Sequence, residues 1–224
     1  MPEPVGFYPL SARYKAADKE NRQPKGILGD VAITYGPYNE PGGAYMFRGT
    51  DTSYILFPND GVLNTPFSIT LMCWVQPEGR NGLLFSYGDP FGRGFRISIV
   101  DGKFSNEIVK IFPQPLTSIV TAEVLPAGKW VHVAASYDHN SGNNSLYING
   151  HLRASHNILR GYEIATNTQE VRMGSKGRED ENFKGKIAEM KVYNVALNEA
   201  QIQTSIRQGS CTFPVIIVSL PSPM

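Results

Sequence analysis

The stretch Lys129–Ser155, KWVHVAASYDHNSGNNSLYINGHLRAS, constrains the fold more than any other part of the chain. Trp130, Val131, Val133, Ala135 and Tyr137 form a β-favouring run that stops at Asp138, because the DHNSGNN that follows is all turn chemistry. Leu146, Tyr147 and Ile148 then meet Asn149-Gly150, the pair that accepts positive φ at both central positions of a type I′ turn. Leu152 to Ala154 must therefore run back alongside, and the stretch reads as a strand, a surface turn and a hairpin.

Length sets how much can be built around this hairpin. A chain of 224 residues exceeds the commonest domain size, yet β-sandwiches run to about 200–250 residues as one domain. The 22 glycines and 16 prolines fall at turn spacing without a period, as many short strands require. Lys+Arg 21 against Asp+Glu 20 leaves a net charge of +1, and no basic run interleaves with aromatics. The electrostatic footprint of a nucleic-acid binder is missing. No run reaches the roughly 20 apolar residues that a bilayer requires, so membrane insertion is not expected. The opening MPEPVGFYPL lacks the basic start and apolar core of a signal peptide.

Taken in order, residues 1–4 read as a stiff leader and Gly6–Leu10 as a first strand. Gly26–Ile33 reads as a weak strand, and Ala44–Phe47 and Ser53–Phe57 as half-buried strands joined by a turn. Phe67–Val75 alternates Ile69, Leu71, Cys73 and Val75 against Thr70, Met72 and Trp74, so the first set should point between two sheets. Leu83–Tyr87, Phe95–Val100, Lys103–Phe112, Thr121–Val124, Glu170–Gly174 and Phe183–Tyr193 supply further strands. Asn198 can cap a short helix, Glu199–Arg207, with Ala200, Ile202 and Ile206 on one face and Gly209 past its end. The expected fold is an all-β, two-sheet antiparallel sandwich over residues 5–209, followed by a tail, 210–224. The tail's short apolar run should dock as an extra strand or serve as a linker.

Three phrases carry a resemblance: A-Y-M-F-R-G with S-Y-I-L-F-P, then W-V-H-V-A-A-S-Y-D through L-Y-I-N-G, then F-K-G-K-I-A-E-M-K-V-Y-N-V-A-L. In this order they resemble the laminin-G-like and pentraxin-like jelly rolls of the concanavalin A-like superfamily, over roughly Val5–Arg207. The resemblance implies an extracellular recognition or adhesion module that binds a glycan or a matrix protein. The rival readings are a structural matrix module without a specific ligand, a calcium-dependent lectin and, lastly, a glycan-active enzyme, since fold alone does not choose function.

The residues argue against catalysis. A glycosidase needs two carboxylates across a scissile bond, and the E-x-D-x-x-E spacing of related glucanases does not occur. His132, His139, His151 and His156 lack metal-site spacing, and His132 reads as a hydrogen-bonded sheet histidine. Calcium is the cofactor that the resemblance leaves open. Laminin-G-like modules pair an early aspartate, here Asp18, with a last-strand position that Ala188 occupies, and Glu189 should face the other way. The pentraxin-like acidic loop is matched by Glu179, Asp180 and Glu181, which makes Asp180 the second candidate ligand.

The family's extracellular setting implies that Cys73 and Cys211 are bridged or shielded, although inert core thiols are the other reading. A bridge would be worth on the order of 4–5 kcal/mol in the chain-entropy model. The pentraxin disulfide corresponds to Met72 and Ala134 and is absent. Asn143-Asn144-Ser145 is a glycosylation sequon expected in an exposed turn. The recognition surface is expected on one rim, where segments 88–94 and 177–182 should meet because the matching pentraxin segments do. Asp89, Arg93, Arg178, Glu179, Asp180, Glu181 and Asn182 would form a mixed-charge patch, with Phe91 as a stacking surface.

Overall fold

The computed structural model describes residues 1–87, 94–109, 117–158, 160–166, 170–176 and 181–210. In chain order the strands are β1 (Gly6–Tyr8), β2 (Ile27–Leu28), β3 (Val31–Thr34), β4 (Ala44–Arg48), β5 (Ile55–Phe57), β6 (Ile69–Pro77), β7 (Gly82–Tyr87) and β8 (Gly94–Val100). They continue with β9 (Lys103–Val109), β10 (Thr117–Val124), β11 (Val131–Tyr137), β12 (Asn143–Ile148), β13 (His151–Asn157), β14 (Val171–Met173) and β15 (Lys184–Tyr193). The helix α1 (Glu199–Ser210) closes the described chain.

Two antiparallel sheets stack face to face. The larger runs β13-β12-β11-β6-β15-β4-β3, with β1 also on β15, and the smaller runs β10-β9-β8-β7-β14-β5-β2. Between them lies one apolar core, filled from the larger sheet by Ile69, Leu71, Cys73, Val75, Val131, Val133, Ala135 and Tyr137. From the smaller sheet come Phe85, Tyr87, Phe95, Ile97, Ile99, Phe104 and Ile108. The alternation read from Phe67–Val75 thus points as expected, because burial of one face allows a strand only one register.

Turn chemistry sets the hairpins. Asn149 and Gly150 both take positive φ, 52° and 79°, and Ile148 pairs with His151 across them. Asp101 and Gly102 do the same at 51° and 80°, which pairs Val100 with Lys103 and brings Arg96 opposite Glu107.

The structure corrects several boundaries. The weak strand expected over Gly26–Ile33 is two strands, one in each sheet, and Gly29 and Asp30 hand the chain across by donating to Tyr54 O and Thr52 O. β10 begins at Thr117, and Asn143 opens β12 instead of lying in the preceding turn, which Gly142 closes onto Asp138 O at 2.7 Å. Helix α1 extends to Ser210, so Gly209 lies inside its last turn, and Ala200 is exposed. The buried face of α1 is Ile202, with Ser205 and Gly209. Asn198 caps it as expected, accepting from Gln201 N at 3.0 Å while Gln201 Oε1 accepts from Asn198 N at 2.9 Å, a reciprocal capping box. Cys211 and the rest of the tail lie outside the described residues.

Candidate functional site

The two sheets present different outer faces. On the larger sheet, Met72, Ala134, Tyr147 and Tyr193 are buried beneath Leu197 and Ile202. Thr70 anchors the approach to α1 by donating to Val195 O at 2.7 Å and accepting from Leu197 N at 2.9 Å. Further along this face Tyr38, Trp74 and His132 pack edge to face, with centroids 5.8 and 5.3 Å apart. The His132 Nδ1 has no hydrogen-bond partner, while its backbone holds it in the sheet, N donating to Asn149 Oδ1 at 3.0 Å and O accepting from Asn149 N at 2.8 Å. Burial, with a smaller push from Lys191, drives its pKa down to about 3.

The smaller sheet is built otherwise. Arg96, Ser98, Ser105 and Glu107 alternate with core residues along β8 and β9 and so share the outer face. Arg96 Nε lies 2.8 Å from Glu107 Oε2, and its NH1 lies 3.2 Å from Glu181 Oε2. Ser98 and Ser105 are directly opposed, and neither hydroxyl has a hydrogen-bond partner. A cleft of about 260 Å³ opens here, lined by Asn81, Leu83, Arg96, Ser98, Glu107 and Glu181 among others. Glu181 arrives because Gly82 lets the chain pass close above β7: a Cβ at position 82 would overlap the Phe183 backbone. One guanidinium between two carboxylates offers donors and acceptors in the mixture that a polyhydroxylated ligand requires.

Of the residues expected on one rim, Asp89, Phe91, Arg93, Arg178, Glu179 and Asp180 lie outside the described residues. Glu181 and Asn182 diverge, Glu181 to Arg96 and Asn182 to Ser175, whose Oγ donates to Asn182 Oδ1 at 2.6 Å. Arg96, Ser98, Ser105 and Glu107 were missed, although Asp101-Gly102 between two alternating runs was the signal that could have paired them.

Asp18 is almost fully buried and its carboxylate is engaged: Oδ1 accepts from Phe7 N at 2.7 Å, and Oδ2 accepts from Arg22 N at 3.0 Å and pairs with Arg22 Nε at 3.2 Å. Burial alone would raise its pKa, but the Arg22 side chain and these amides outweigh it and hold the carboxyl below its ordinary range. These contacts make Asp18 a structural carboxylate. Among the described residues no group of three or more His, Cys, Asp or Glu is placed to hold a metal ion.

The expectation that Ala188 and Glu189 face opposite ways fails. β15 is bulged between Ala188 and Lys191, and Glu189, at φ 51°, turns to the outer face against Gly209. Met72 and Ala134 are Cα partners, as the pentraxin correspondence implied. Cys73 is a free, fully buried thiol, its pKa raised by burial. Asn143 is exposed, and its Oδ1 accepts from Asn157 Nδ2 at 2.9 Å.

Stacked antiparallel sheets with one polar outer face define a lectin-like β-sandwich. The chain belongs to the laminin G-like family of the concanavalin A-like lectin/glucanases superfamily, whose model matches residues 48–203. No curated protein matches its sequence. Among solved structures it resembles the binding domain of Paraclostridial Mosquitocidal Protein 1, with TM-score 0.75, 19% identity and coverage of 92% of this chain and 52% of that one. It likewise resembles the botulinum neurotoxin serotype G binding domain, at TM-score 0.75 and 16% identity over 94% and 52%. The chain thus spans about half the length of those toxin domains. It covers 97% of domain 4 of AbnA, a GH43 extracellular arabinanase from Geobacillus stearothermophilus, solved in complex with arabinotriose. That match has TM-score 0.69 and 25% identity over 90% of this chain. Among the described residues no helix is long and apolar enough to cross a membrane.

Proposed function

We propose that the protein is a non-catalytic, extracellular glycan-binding module that takes its ligand on the outer face of the smaller sheet. The observation that carries this reading is Arg96 held between Glu107 and Glu181 where they line the cleft of that face. On the counterpart face of the larger sheet, Leu197 and Ile202 pack over Met72, Ala134, Tyr147 and Tyr193. The likeness to a domain solved with arabinotriose supports an oligosaccharide as the ligand.

Where the described carboxylates of this face point supports a non-catalytic role. Glycoside cleavage needs one protonated carboxyl on the leaving oxygen and a second across the sugar ring. Glu107 and Glu181 both form ion pairs with a single guanidinium instead. They serve better as acceptors for sugar hydroxyls.

Calorimetric titration with arabinotriose and with a panel of neutral oligosaccharides, with and without chelator, tests the reading. Saturable, chelator-insensitive binding is expected, weakened about tenfold or more in Arg96→Ala, the loss of one charge-assisted hydrogen bond or two. Binding to no member of the panel would leave a structural module as the better description, and chelator-sensitive binding a calcium lectin.

A further inference from the structure

A second cleft, of about 400 Å³, lies beside the larger sheet, lined by the leader, β1, residues 19–22, β15 and the last turns of α1. Its floor is Lys191, which is buried and whose Nζ donates to Ser205 O at 3.1 Å and Ser205 Oγ at 3.0 Å. Those two bonds leave one ammonium hydrogen unassigned. Phe7 is the cross-strand partner of Lys191. Its ring centroid lies 4.9 Å from Lys191 Nζ and 5.4 Å from Lys19 Nζ, so two ammonium groups share one aromatic ring.

Neither lysine has a carboxylate within ion-pairing distance among the described residues. Arg22 lines the same cleft but is committed to Asp18 and to Pro4 O. Glu3 and Glu20 line it as exposed residues, and Glu189 is turned against Gly209, where burial favours its neutral form. Glu189 is the carboxylate that acts on Lys191 from beyond ion-pairing distance, so two lysines meet at one ring in this cleft with no direct salt bridge among the described residues, an arrangement that leaves a buried ammonium short of counter-charge.

We infer that this cleft is a site for the oxyanion group of a ligand, a carboxylate or a sulfate, seated between Lys19 and Lys191 with the ligand's apolar body against Pro4 and Phe7. An anion here adds counter-charge at close range and accepts the remaining Lys191 hydrogen. Burial lowers the Lys191 pKa, Glu189 opposes that shift and Lys19 adds a smaller push downward; a bound anion acts in the same direction as Glu189. The site is separate from the Arg96 face and does not depend on the glycan reading.

The test is a proton–nitrogen NMR titration of the whole chain with sodium sulfate and with sodium acetate, each against sodium chloride at matched ionic strength. Saturable shifts are expected at the Phe7, Lys19, Lys191 and Ser205 amides and not at Ser98 or Ser105. Lys19→Ala should weaken binding about tenfold or more, while Lys15→Ala, at an exposed lysine nearby, leaves it unchanged. Lys19 enters the fold through its amide, which donates to Phe7 O at 2.7 Å, so Lys19→Ala keeps that contact. Lys191→Met is the second variant, removing the floor charge while retaining its bulk. Saturation by either anion that both variants abolish or weaken supports the site. Absence of saturation with both anions, or saturation that neither variant alters, overturns it.

Discussion

His132 is 4% exposed, and its imidazole is held neutral by the apolar surroundings that bury it. Its folded pKa lies below the unfolded value of about 6.5, so on acidification the unfolded chain takes up the proton first. The stability this group contributes is therefore complete above about pH 6.5 and is lost as the pH falls from there toward 3. Urea unfolding at pH 6.5 and pH 5 should show a loss about 1.6 kcal/mol larger in the native sequence than in His132→Phe, since the unfolded imidazole goes from half to almost fully protonated over that interval. Asp18 does not confuse the measurement. Its pKa is lowered, so its contribution is present above the ordinary aspartate value and is lost only in more acidic solution. Asp18→Asn should itself cost about 2 kcal/mol at neutral pH by calorimetric or urea unfolding, discounted because Arg22 is a third exposed.

Among the elements, α1 shows how a short helix gains its stability from a sheet. Its twelve residues are marginal alone, and its place is set by the Asn198–Gln201 box and by Ile202, which is fully buried against Tyr193 and its neighbours. Ile202→Ala should destabilise by about 3 kcal/mol and Asn198→Ala by about 1 kcal/mol. Both should leave the affinity for arabinotriose unchanged, because α1 and the Arg96 face belong to opposite sheets. A fall in affinity would mean that the glycan binds on the larger sheet. The helix, its cap and the packing of Ile202 and Ile206 were legible in the residues, but the exposure of Ala200 was not. Only the position of the helix over Met72 and Tyr193 decides how far along it the covered face extends.

For the molecule as a whole, removal of calcium should change little. The aspartate that the family resemblance offers as a ligand, Asp18, is already saturated by Arg22 and two amides. Excess EDTA should leave the unfolding midpoint unmoved. Calcium at a hundred times its dissociation constant would instead add about 2.7 kcal/mol, an easily measured rise. Length, turn pairs and alternation determined by themselves that this chain makes a two-sheet sandwich, because one buried face per strand and positive-φ turn residues are local requirements that neighbouring residues must meet. The bulge at Glu189 and the meeting of Arg96 with Glu181, 85 residues away, were decided only in the tertiary structure. Alternation fails wherever a strand takes an extra residue, and no local pattern encodes how closely the chain before β15 passes over β7. The phrases along the strands thus identified the family, whereas the polar face around Arg96 arises where distant segments cross.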